Sequence, residues 1–234
     1  MGIVITIDGG AGTGTTSVSQ TVAELLGQTP LNTGHLYRSL AWACREAGIR
    51  IDSKSGVDFA DWPAVVEVAR TLDLEIKHGS VVEVNGFAVD ETILSNMTPF
   101  VPHVSRIADA RPHIRRHQLG YADLHPCVIA EGRDLGTVVF PDALRKVFLV
   151  CEDIERAKRR SNHEGHRITV PELLERDRMD AERDCSPMVP HPTAMIVDTT
   201  HTDIPTLAHN IIVSLIGVPR ARRLIAPYVT TLVA

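Results

Sequence analysis

Residues 2–27 read GIVITIDGGAGTGTTSVSQTVAELLG, and this stretch decides the fold. It begins with a continuous apolar run from Gly2 to Asp8, which is typical of a strand buried on both faces. A glycine-rich turn follows, and then an amphipathic helical pattern from Ser17 to Leu26 that ends at Gly27. A buried strand that leads through such a turn into a helix is the setting of a phosphate-binding loop. The stretch therefore indicates phosphate chemistry on an α/β scaffold.

The composition excludes several classes of protein. The chain has 234 residues, 44% hydrophobic and 23% charged, so it can bury a sizeable core in one or two compact units. Its net charge of −5 argues against a nucleic-acid or membrane partner. The apolar runs are shorter than the roughly 20 residues of a membrane span, and no signal-peptide pattern stands at the N-terminus. Four widely spaced cysteines are expected to be reduced thiols of a cytoplasmic protein: Cys44, Cys127, Cys151 and Cys185.

The alternation of strand and helix patterns continues along the chain. A second helical pattern runs from Leu36 to Ala47 and stops at Gly48. Later patterns predict three more strands and two more helices, at Cys127–Ala130, Lys146–Cys151, Met195–Asp198, Glu152–Arg160 and Ile204–Ile216. Strands spaced by helices predict an α/β protein with a parallel sheet flanked by helices.

One segment, residues 58–95, breaks this alternation. After a helical pattern it holds three short apolar runs, Leu74–Ile76, Val81–Val84 and Phe87–Val89. The pairs His78-Gly79 and Asn85-Gly86 separate these runs, and such pairs favour tight turns between antiparallel strands. The segment is therefore predicted to be a small inserted subdomain.

The glycine-rich turn has the spacing of the motif G-x-x-x-x-G-K-[ST]. Its glycines let backbone N–H groups turn inward, and the N-terminus of the following helix adds positive potential for phosphate. Thr16 stands where a hydroxyl would bind magnesium. The candidate donor-phosphate residues are Gly9, Gly12, Thr13, Gly14, Thr15 and Thr16. A tight turn that binds no ligand is the alternative interpretation.

The lysine of that motif is missing, because Thr15 occupies its position. A cation on the transferring phosphoryl group is worth about 10³ to 10⁵ in rate, or about 4 to 7 kcal/mol of barrier. None of the four lysines is near the loop in sequence, although Lys158 could approach in space: Lys54, Lys77, Lys146 and Lys158. Either other cations compensate, or the loop binds phosphate without fast transfer.

Polar side chains follow two other predicted elements. Residues 32–38, NTGHLYR, begin the second helix and could meet a phosphate or face solvent. Residues 131–134, EGRD, follow a strand at the edge where open α/β sheets bind ligands. There Glu131 could hold a metal-bound water, Arg133 a phosphate and Asp134 an exocyclic amine.

Two charged segments could form a mobile lid over phosphates. A basic helix face, Arg156 to Arg160, is of a kind that is usually solvated, and the polar residues Ser161–Arg167 follow it. A second charged helix spans Glu172–Arg183. On it Arg176, Asp180 and Arg183 share one face, since their spacings are four and three.

Taken together, these residues resemble the bacterial cytidylate kinase (CMP/dCMP kinase) family of nucleoside monophosphate kinases. The resemblance covers roughly residues 3–216 and rests on five runs: ITIDGGAGTGTTS (5–17), NTGHLYRSLAWA (32–43), IAEGRDLGTVVFPDA (129–143), ERDRMDAERD (175–184) and VDTT (197–200). It implies a P-loop NTPase-type domain over residues 1–217, with a nucleotide-monophosphate-binding insert at 58–95 and a short lid at 161–183. Residues 218–234 remain as a C-terminal tail, which we expect to dock or fray rather than to contact a membrane.

The resemblance also implies an activity, which is transfer of the γ-phosphoryl group of ATP to CMP or dCMP with Mg²⁺. Small nucleotides are the expected partners, and a monomer is the expected state. Thr16 and Glu131 would serve the magnesium ion. Arg133, Arg160 and Arg183 would supply the charge that the loop lacks.

Acceptor residues are implied position by position. Thr33, Tyr37 and Arg38 stand where the family holds the acceptor nucleotide, and Ser105 and Arg115 match its cytosine-reading pair after a one-residue shift. On the later segments, Arg133 would grip the acceptor phosphate and Asp134 would read the cytosine amino group. Asp180 would take the ribose hydroxyls, with Arg176 and Arg183 bridging toward phosphates.

Three departures from the family pattern lie on the donor side. Thr15 replaces the lysine, Met179 stands where the last helix usually has an arginine, and the lid from Ser161 to about Thr169 is shorter than usual. Most acceptor-side positions are kept. We therefore expect the chain to recognise a CMP-like nucleotide, while its use of ATP is open.

Three hypotheses follow. The first is a working kinase, in which positioning and charge neutralisation perform the transfer. The second is a diverged phosphotransferase that acts on a modified cytidine phosphate or another small acceptor, since fold does not fix function. The third is a catalytically silent CMP-binding protein. Transfer to CMP, transfer only to another acceptor, or binding alone would distinguish them.

Overall fold

The computed structural model of this protein describes residues 2–165 and 167–226. The chain divides into two compact units. We call the first the sheet unit, which is formed by Met1–Leu31 and Ala122–Ala234, and the second the inserted unit, Asn32–Tyr121. The predicted subdomain at 58–95 lies within the inserted unit.

The secondary structure follows the chain in three stretches. The first contains β1 (Ile3–Gly9), α1 (Thr15–Leu25) and β2 (Pro30–Asn32). The second contains α2 (Thr33–Glu46), β3 (Ile51–Asp52), β4 (Gly56–Val57), α3 (Trp62–Thr71), β5 (Leu74–Lys77), β6 (Ser80–Val84), β7 (Phe87–Ala88), α4 (Glu91–Ser95), α5 (Val101–Ser105) and α6 (Arg111–Leu124). The third contains β8 (Cys127–Gly132), β9 (Arg145–Val150), α7 (Asp153–Glu164), α8 (Val170–Ala181), β10 (Met195–Asp198) and α9 (Ile204–Val213).

The main sheet is organised around β1. This strand pairs in parallel with β8 on one side and with β9 on the other, and β10 pairs in parallel with β9. The strand order is β10-β9-β1-β8-β2. In the register of β1 and β8, Ile7 lies opposite Glu131 and Asp8 opposite Gly132, so the carboxyl ends of both strands meet at one edge. A parallel sheet flanked by helices confirms the predicted fold class.

The core of the sheet unit explains why β1 reads as an unbroken apolar run. Ile5 and Ile7 are fully buried, and they share one cluster with apolar residues of α1 and α9. Ala221 and Ile225 of the C-terminal tail join the same cluster, so this part of the tail is docked. The rest of the tail, residues 227–234, lies outside the described residues.

The inserted unit contains the predicted antiparallel strands. Strands β5, β6 and β7 form a three-stranded antiparallel sheet. The non-glycine residues of its two turns adopt positive φ angles, 50° at His78 and 51° at Asn85, each followed by a glycine. Helix α2 packs against α3, α4 and α5 of this unit. The sequence patterns did not predict α4, α5, α6 or the short pair β3–β4.

Candidate functional site

The glycine-rich loop between β1 and α1 takes the conformation that its glycines permit. Gly12 and Gly14 have φ angles of 76° and 94°, in the left-handed region that favours glycine. The Thr13 hydroxyl donates to the Gly10 carbonyl at 2.8 Å, which closes the loop on itself. Helix α1 begins at Thr15, two residues earlier than the pattern predicted. Thr15 and the exposed Thr16 therefore lie in its first turn.

The loop itself contains no lysine or arginine, and Lys158 does not take the place of the missing lysine. The Lys158 ammonium lies 3.5 Å from Glu155, and its side chain is 69% exposed. Arg156, two residues earlier on α7, is buried instead, and its Nε donates to the Ala11 carbonyl at 2.9 Å. The sequence pattern assigned Arg156 to a basic helix face of a kind that is usually solvated, in a segment that could form a lid over phosphates. Only the topology, which packs the start of α7 on the loop, could have shown this contact.

The segment after β8 is held against the end of β1 by a buried carboxylate. Asp8 accepts hydrogen bonds from the backbone N–H groups of Leu135 at 3.0 Å and Gly136 at 2.8 Å. These bonds fix a π-helical turn, Leu135–Val139, directly after Asp134. Burial raises the pKa of Asp8 to about 7, although the two N–H groups oppose the rise. The sequence patterns did not predict a role for Asp8, since an acidic residue that ends an apolar run carries no specific signal.

Arg133 links this segment to the loop and to α8. Its Nη1 donates to the Gly9 carbonyl, and its Nε lies 3.3 Å from an Asp180 oxygen. Arg183 turns back to the same residue, with its Nε donating to the Asp180 carbonyl at 3.0 Å. Asp180 and Arg183 are both buried. Residues from three distant runs of the sequence, the loop, EGRD and ERDRMDAERD, are thus brought together within the sheet unit.

Two further guanidiniums, Arg160 and Arg176, complete what we call the arginine cluster (Arg133, Arg160, Arg176 and Arg183). Burial and the charges of Arg160 and Arg133 lower the pKa of Arg176 to about 10, so it stays protonated at neutral pH. Burial also lowers the pKa of Arg160, which pairs with Glu164. The buried Arg176 Nε has no hydrogen-bond partner in the part of the chain that the structure describes. The charges of Arg133, Arg160 and Arg176 act on one another, and this concentration of guanidiniums suits a polyanion.

Helices α7 and α8 contain most of residues 161–183, the segment for which the family resemblance implies a lid. They pack against each other, and α7 ends at Glu164 with Gly165 as its C-cap, whose φ is 72°. Thr169 and Glu172 cap the start of α8 reciprocally. Met179 is half-buried on α8. His166, within the lid, lies outside the described residues.

In the inserted unit, three predicted acceptor residues stand on the first turns of α2, which begins at Thr33 rather than at Leu36. Thr33 and Tyr37 are buried, and the Arg38 Nη1 lies 3.4 Å from Glu91. The same Glu91 carboxylate lies 3.0 Å from the Nε2 of the buried His35. Burial, followed by the charge of Arg38, lowers the pKa of His35. Glu91 therefore fixes the start of α2 through two side chains.

Ser105 lies in the same unit, beside an arginine that the sequence analysis did not name. The buried Arg111 donates to the Ser105 carbonyl at 2.9 Å, and its guanidinium lies 5.2 Å from the centroid of the Tyr37 ring. Arg115 follows one turn later on α6 and is half-buried. Arginines are frequent around position 111, so spacing alone could not have distinguished the residue that meets Tyr37.

The residues proposed for magnesium are a single buried carboxylate and an exposed hydroxyl. Glu131 stands at the end of β8, opposite Ile7 of β1, and Thr16 is in the first turn of α1. Over residues 2–165 and 167–226, no group of three or more His, Cys, Asp or Glu side chains is placed to hold a metal. Mg²⁺ usually takes one or two carboxylates and completes its shell with phosphate oxygens and water. The donor set therefore fits a magnesium ion that shares oxygens with a bound nucleotide.

Comparisons with known proteins agree over most of the chain. Residues 5–216 match the family model described as Cytidylate kinase. The chain is 34% identical over 217 residues to a cytidylate kinase of Shewanella pealeana, covering 86% of this chain and 89% of the relative. It is 31% identical over 225 residues to a cytidylate kinase of Acholeplasma laidlawii, covering 90% and 94%.

Two other matches are of a different kind. A bifunctional pantoate ligase/cytidylate kinase of a Synechococcus strain is 34% identical over 212 residues, but the chain spans only 38% of its length. Among solved structures, TT1252 from Thermus thermophilus matches with a TM-score of 0.49 and 15% identity, covering 92% of this chain and 98% of that one. A likeness of that size carries no argument about function.

Within the described residues we find no helix whose length and apolar character would let it span a bilayer.

Proposed function

This chain belongs to the cytidylate kinase family, and on that premise we propose that it transfers the γ-phosphoryl group of ATP to CMP or dCMP. An oxygen of the acceptor phosphate attacks the γ-phosphorus, the bond from that phosphorus to the β–γ bridging oxygen breaks, and ADP leaves. The products are CDP or dCDP and ADP, and total charge is conserved. No protein nucleophile is needed, so the protein acts by positioning and by neutralising charge.

The observation that carries this proposal is the arginine cluster at the end of β8. Arg133, Arg160 and Arg176 lie close enough there for their charges to act on one another, and Arg133 contacts both the Gly9 carbonyl of the loop and Asp180 of α8. Two nucleotide phosphates that approach each other carry repelling negative charges. A fixed surplus of guanidinium charge lowers the cost of that approach, and it costs little reorganisation during the reaction.

The proposal gives each group of residues a role. The loop residues bind the donor phosphates through backbone N–H groups, and Arg133, Arg160 and Arg183 neutralise the charge of the transferred group. When bound, Mg²⁺ supplies further charge neutralisation, and Thr16 and Glu131 are the residues that would hold it. The proposed acceptor residues are Thr33, Tyr37, Arg38, Ser105, Arg115, Arg133, Asp134, Arg176, Asp180 and Arg183.

Phosphorus NMR of the purified protein with ATP, Mg²⁺ and CMP tests the proposal. The expected result is the appearance of ADP and CDP together, in equal amounts. Arg133→Ala should abolish the signal, which shows that a contaminating host kinase is not its source. Arg178→Ala is the matched control, because Arg178 lies on α8 but pairs with the exposed Glu175 and Glu182.

Two results would contradict the proposal. One is that the wild-type protein forms no product from CMP or dCMP but phosphorylates another phosphorylated acceptor. The other is binding of CMP with no transfer at high protein concentration. Equal product from wild type and Arg133→Ala would remove the support that the cluster gives the proposal, because the product would then come from a contaminating kinase or would form without the charge of Arg133.

A further inference from the structure

The glycine-rich loop has a buried cation next to it that belongs to another element. The Arg156 side chain is only 8% exposed, and its Nε lies 2.9 Å from the Ala11 carbonyl. A Cβ built on Gly12 would stand 2.6 Å from the Arg156 carbonyl oxygen, so the backbone of α7 touches the loop directly. The guanidinium is therefore held at a fixed position by the packing of α7.

An anion already lies between this cation and the loop. One oxygen of Asp177 accepts the Ala11 N–H at 3.1 Å, and the other accepts from Arg156 Nη2. A Cβ built on Gly10 would stand 2.8 Å from that Nη2 and 2.9 Å from Asp177, so a side chain at residue 10 would fill this space. A backbone N–H of a glycine-rich loop and an arginine fork are the donors that a phosphate oxygen takes. The Asp177 carboxylate thus stands in for an anion at the loop.

We propose that Arg156 supplies the cation that the loop lacks at Thr15, and that a donor phosphate takes over the position of the Asp177 carboxylate. The inference rests on the proposed function, since it names the cation of the same donor site. Asp153, 2.9 Å from Arg156 Nη1, keeps its partner and needs no movement. Only the Asp177 side chain has to leave, and Arg156 then faces phosphate as a lysine would. This arrangement accounts for a phosphate-binding loop that has kept its glycines while losing its lysine.

Binding of inorganic tripolyphosphate, measured by calorimetry, tests the inference without any acceptor. Asp177→Asn should lower the Kd by about 3- to 10-fold, because the competing anion no longer reduces the binding-competent fraction. Asp153→Asn is the matched control: it removes the same charge from Arg156 but does not touch the loop, and the Kd should stay within about twofold. Arg156→Ala should raise the Kd by at least about tenfold. Thr15→Lys added to Arg156→Ala should recover most of that loss, because it returns a cation to the loop.

An unchanged or higher Kd in Asp177→Asn would overturn the inference, since it would mean that the carboxylate only braces the loop. Failure of Thr15→Lys to rescue Arg156→Ala would also overturn it. Should Arg156→Ala not fold, which circular dichroism shows, the nearly isosteric Asp177→Asn decides the question alone. Transfer to CMP is measured separately on the same proteins. Absence of transfer to CMP by the wild-type protein would contradict the proposed function. The tripolyphosphate affinities would still test the role of Arg156, because they do not depend on transfer.

Discussion

The glycine-rich loop and the arginine cluster are neighbouring parts of one unit that differ in how their arginines are paired. At the loop, one guanidinium, Arg156, faces two carboxylates, Asp153 and Asp177. In the cluster, four guanidiniums face Asp180 and Glu164. The loop has the glycine-rich backbone that is typical of a phosphate-binding loop, whereas the clustered guanidiniums are on α7, α8 and the segment after β8. The comparison indicates that the backbone conformation of the loop and the position of the positive charge are independent features. A chain can have the first without placing the second on the loop itself.

The largest effect is expected from removing the side chain that joins the two regions. Arg133→Ala should lower kcat for CMP phosphorylation by about 10³ or more, because it takes a cation from the transferred group. Steady-state kinetics with a coupled ADP assay measure the change. Arg178→Ala should keep kcat within about twofold, as expected of an exposed ion pair. A loss of less than tenfold in Arg133→Ala would show that the charge of the cluster does not act in the reaction.

A comparison of two glycines sharpens the description of the loop. Gly12→Ala should reduce the free energy of unfolding by about 2–4 kcal/mol, because the new methyl group meets the Arg156 carbonyl as well as requiring a left-handed backbone. Gly14→Ala meets nothing within 4 Å, so it should cost only the backbone strain, about 1 kcal/mol. Urea unfolding of both variants gives the two values. Equal costs would mean that the loop does not pack on α7.

Asp8 connects the loop strand to the cluster segment, and its raised pKa of about 7 predicts a pH dependence of stability. Between its ordinary value of 3.8 and 7, the unfolded chain has released the proton while the folded protein keeps it. The contribution of Asp8 to the free energy of unfolding is therefore fully present below pH 4, and it is lost as the pH rises toward 7. Between pH 5 and 8, the free energy of unfolding of wild type should fall by about 3 kcal/mol more than that of Asp8→Asn.

Urea unfolding at both pH values checks the Asp8 prediction. Asp52→Asn serves as the control, because hydrogen bonds from Ser55 and Lys54 lower the pKa of Asp52 to about 2. Its contribution is present above pH 4 and is lost only as pH falls toward 2, so the change between pH 5 and 8 should match wild type. Parallel behaviour of wild type and Asp8→Asn would contradict the prediction.

The smallest effect is expected in the inserted unit, where Glu91 holds both Arg38 and His35. Glu91→Gln keeps the shape but removes the charge, and the Glu91 side chain is 65% exposed. The KM for CMP should rise by about two- to fivefold with little change in kcat, since exposed ion pairs contribute less than about 1 kcal/mol. A fall in kcat at unchanged KM would show that Glu91 acts in transfer rather than in acceptor binding.

The sequence predicted the framework of the protein well, and the reason is physical. Continuous apolar runs such as β1 arise only where both faces of a strand are buried, and glycine pairs such as Asn85-Gly86 favour one kind of turn. The family resemblance is confirmed by the match over residues 5–216. Helices α4, α5 and α6 were missed because each is short or weakly amphipathic, so that tertiary packing rather than periodicity defines it.

The site could be predicted only where a motif carried it. The glycine loop and EGRD have fixed spacings, but the positions of Arg156, Asp177 and Asp8 depend on which elements the fold packs together. A buried arginine and a solvated one give the same letter in the same helical pattern. Arg111 illustrates the limit, because its contact with Tyr37 joins α6 to α2, two helices that are far apart in the sequence.

The inserted unit interrupts the sequence of the sheet unit, and this order of residues has a consequence for synthesis of the chain. Strand β1 leaves the ribosome well before its partners β8 and β9, since β8 begins only at Cys127. The whole of the inserted unit is synthesised while β1 has unpaired edges. The order of synthesis therefore favours folding of the inserted unit first, and the growing chain carries an apolar strand that chaperones can bind until the sheet closes.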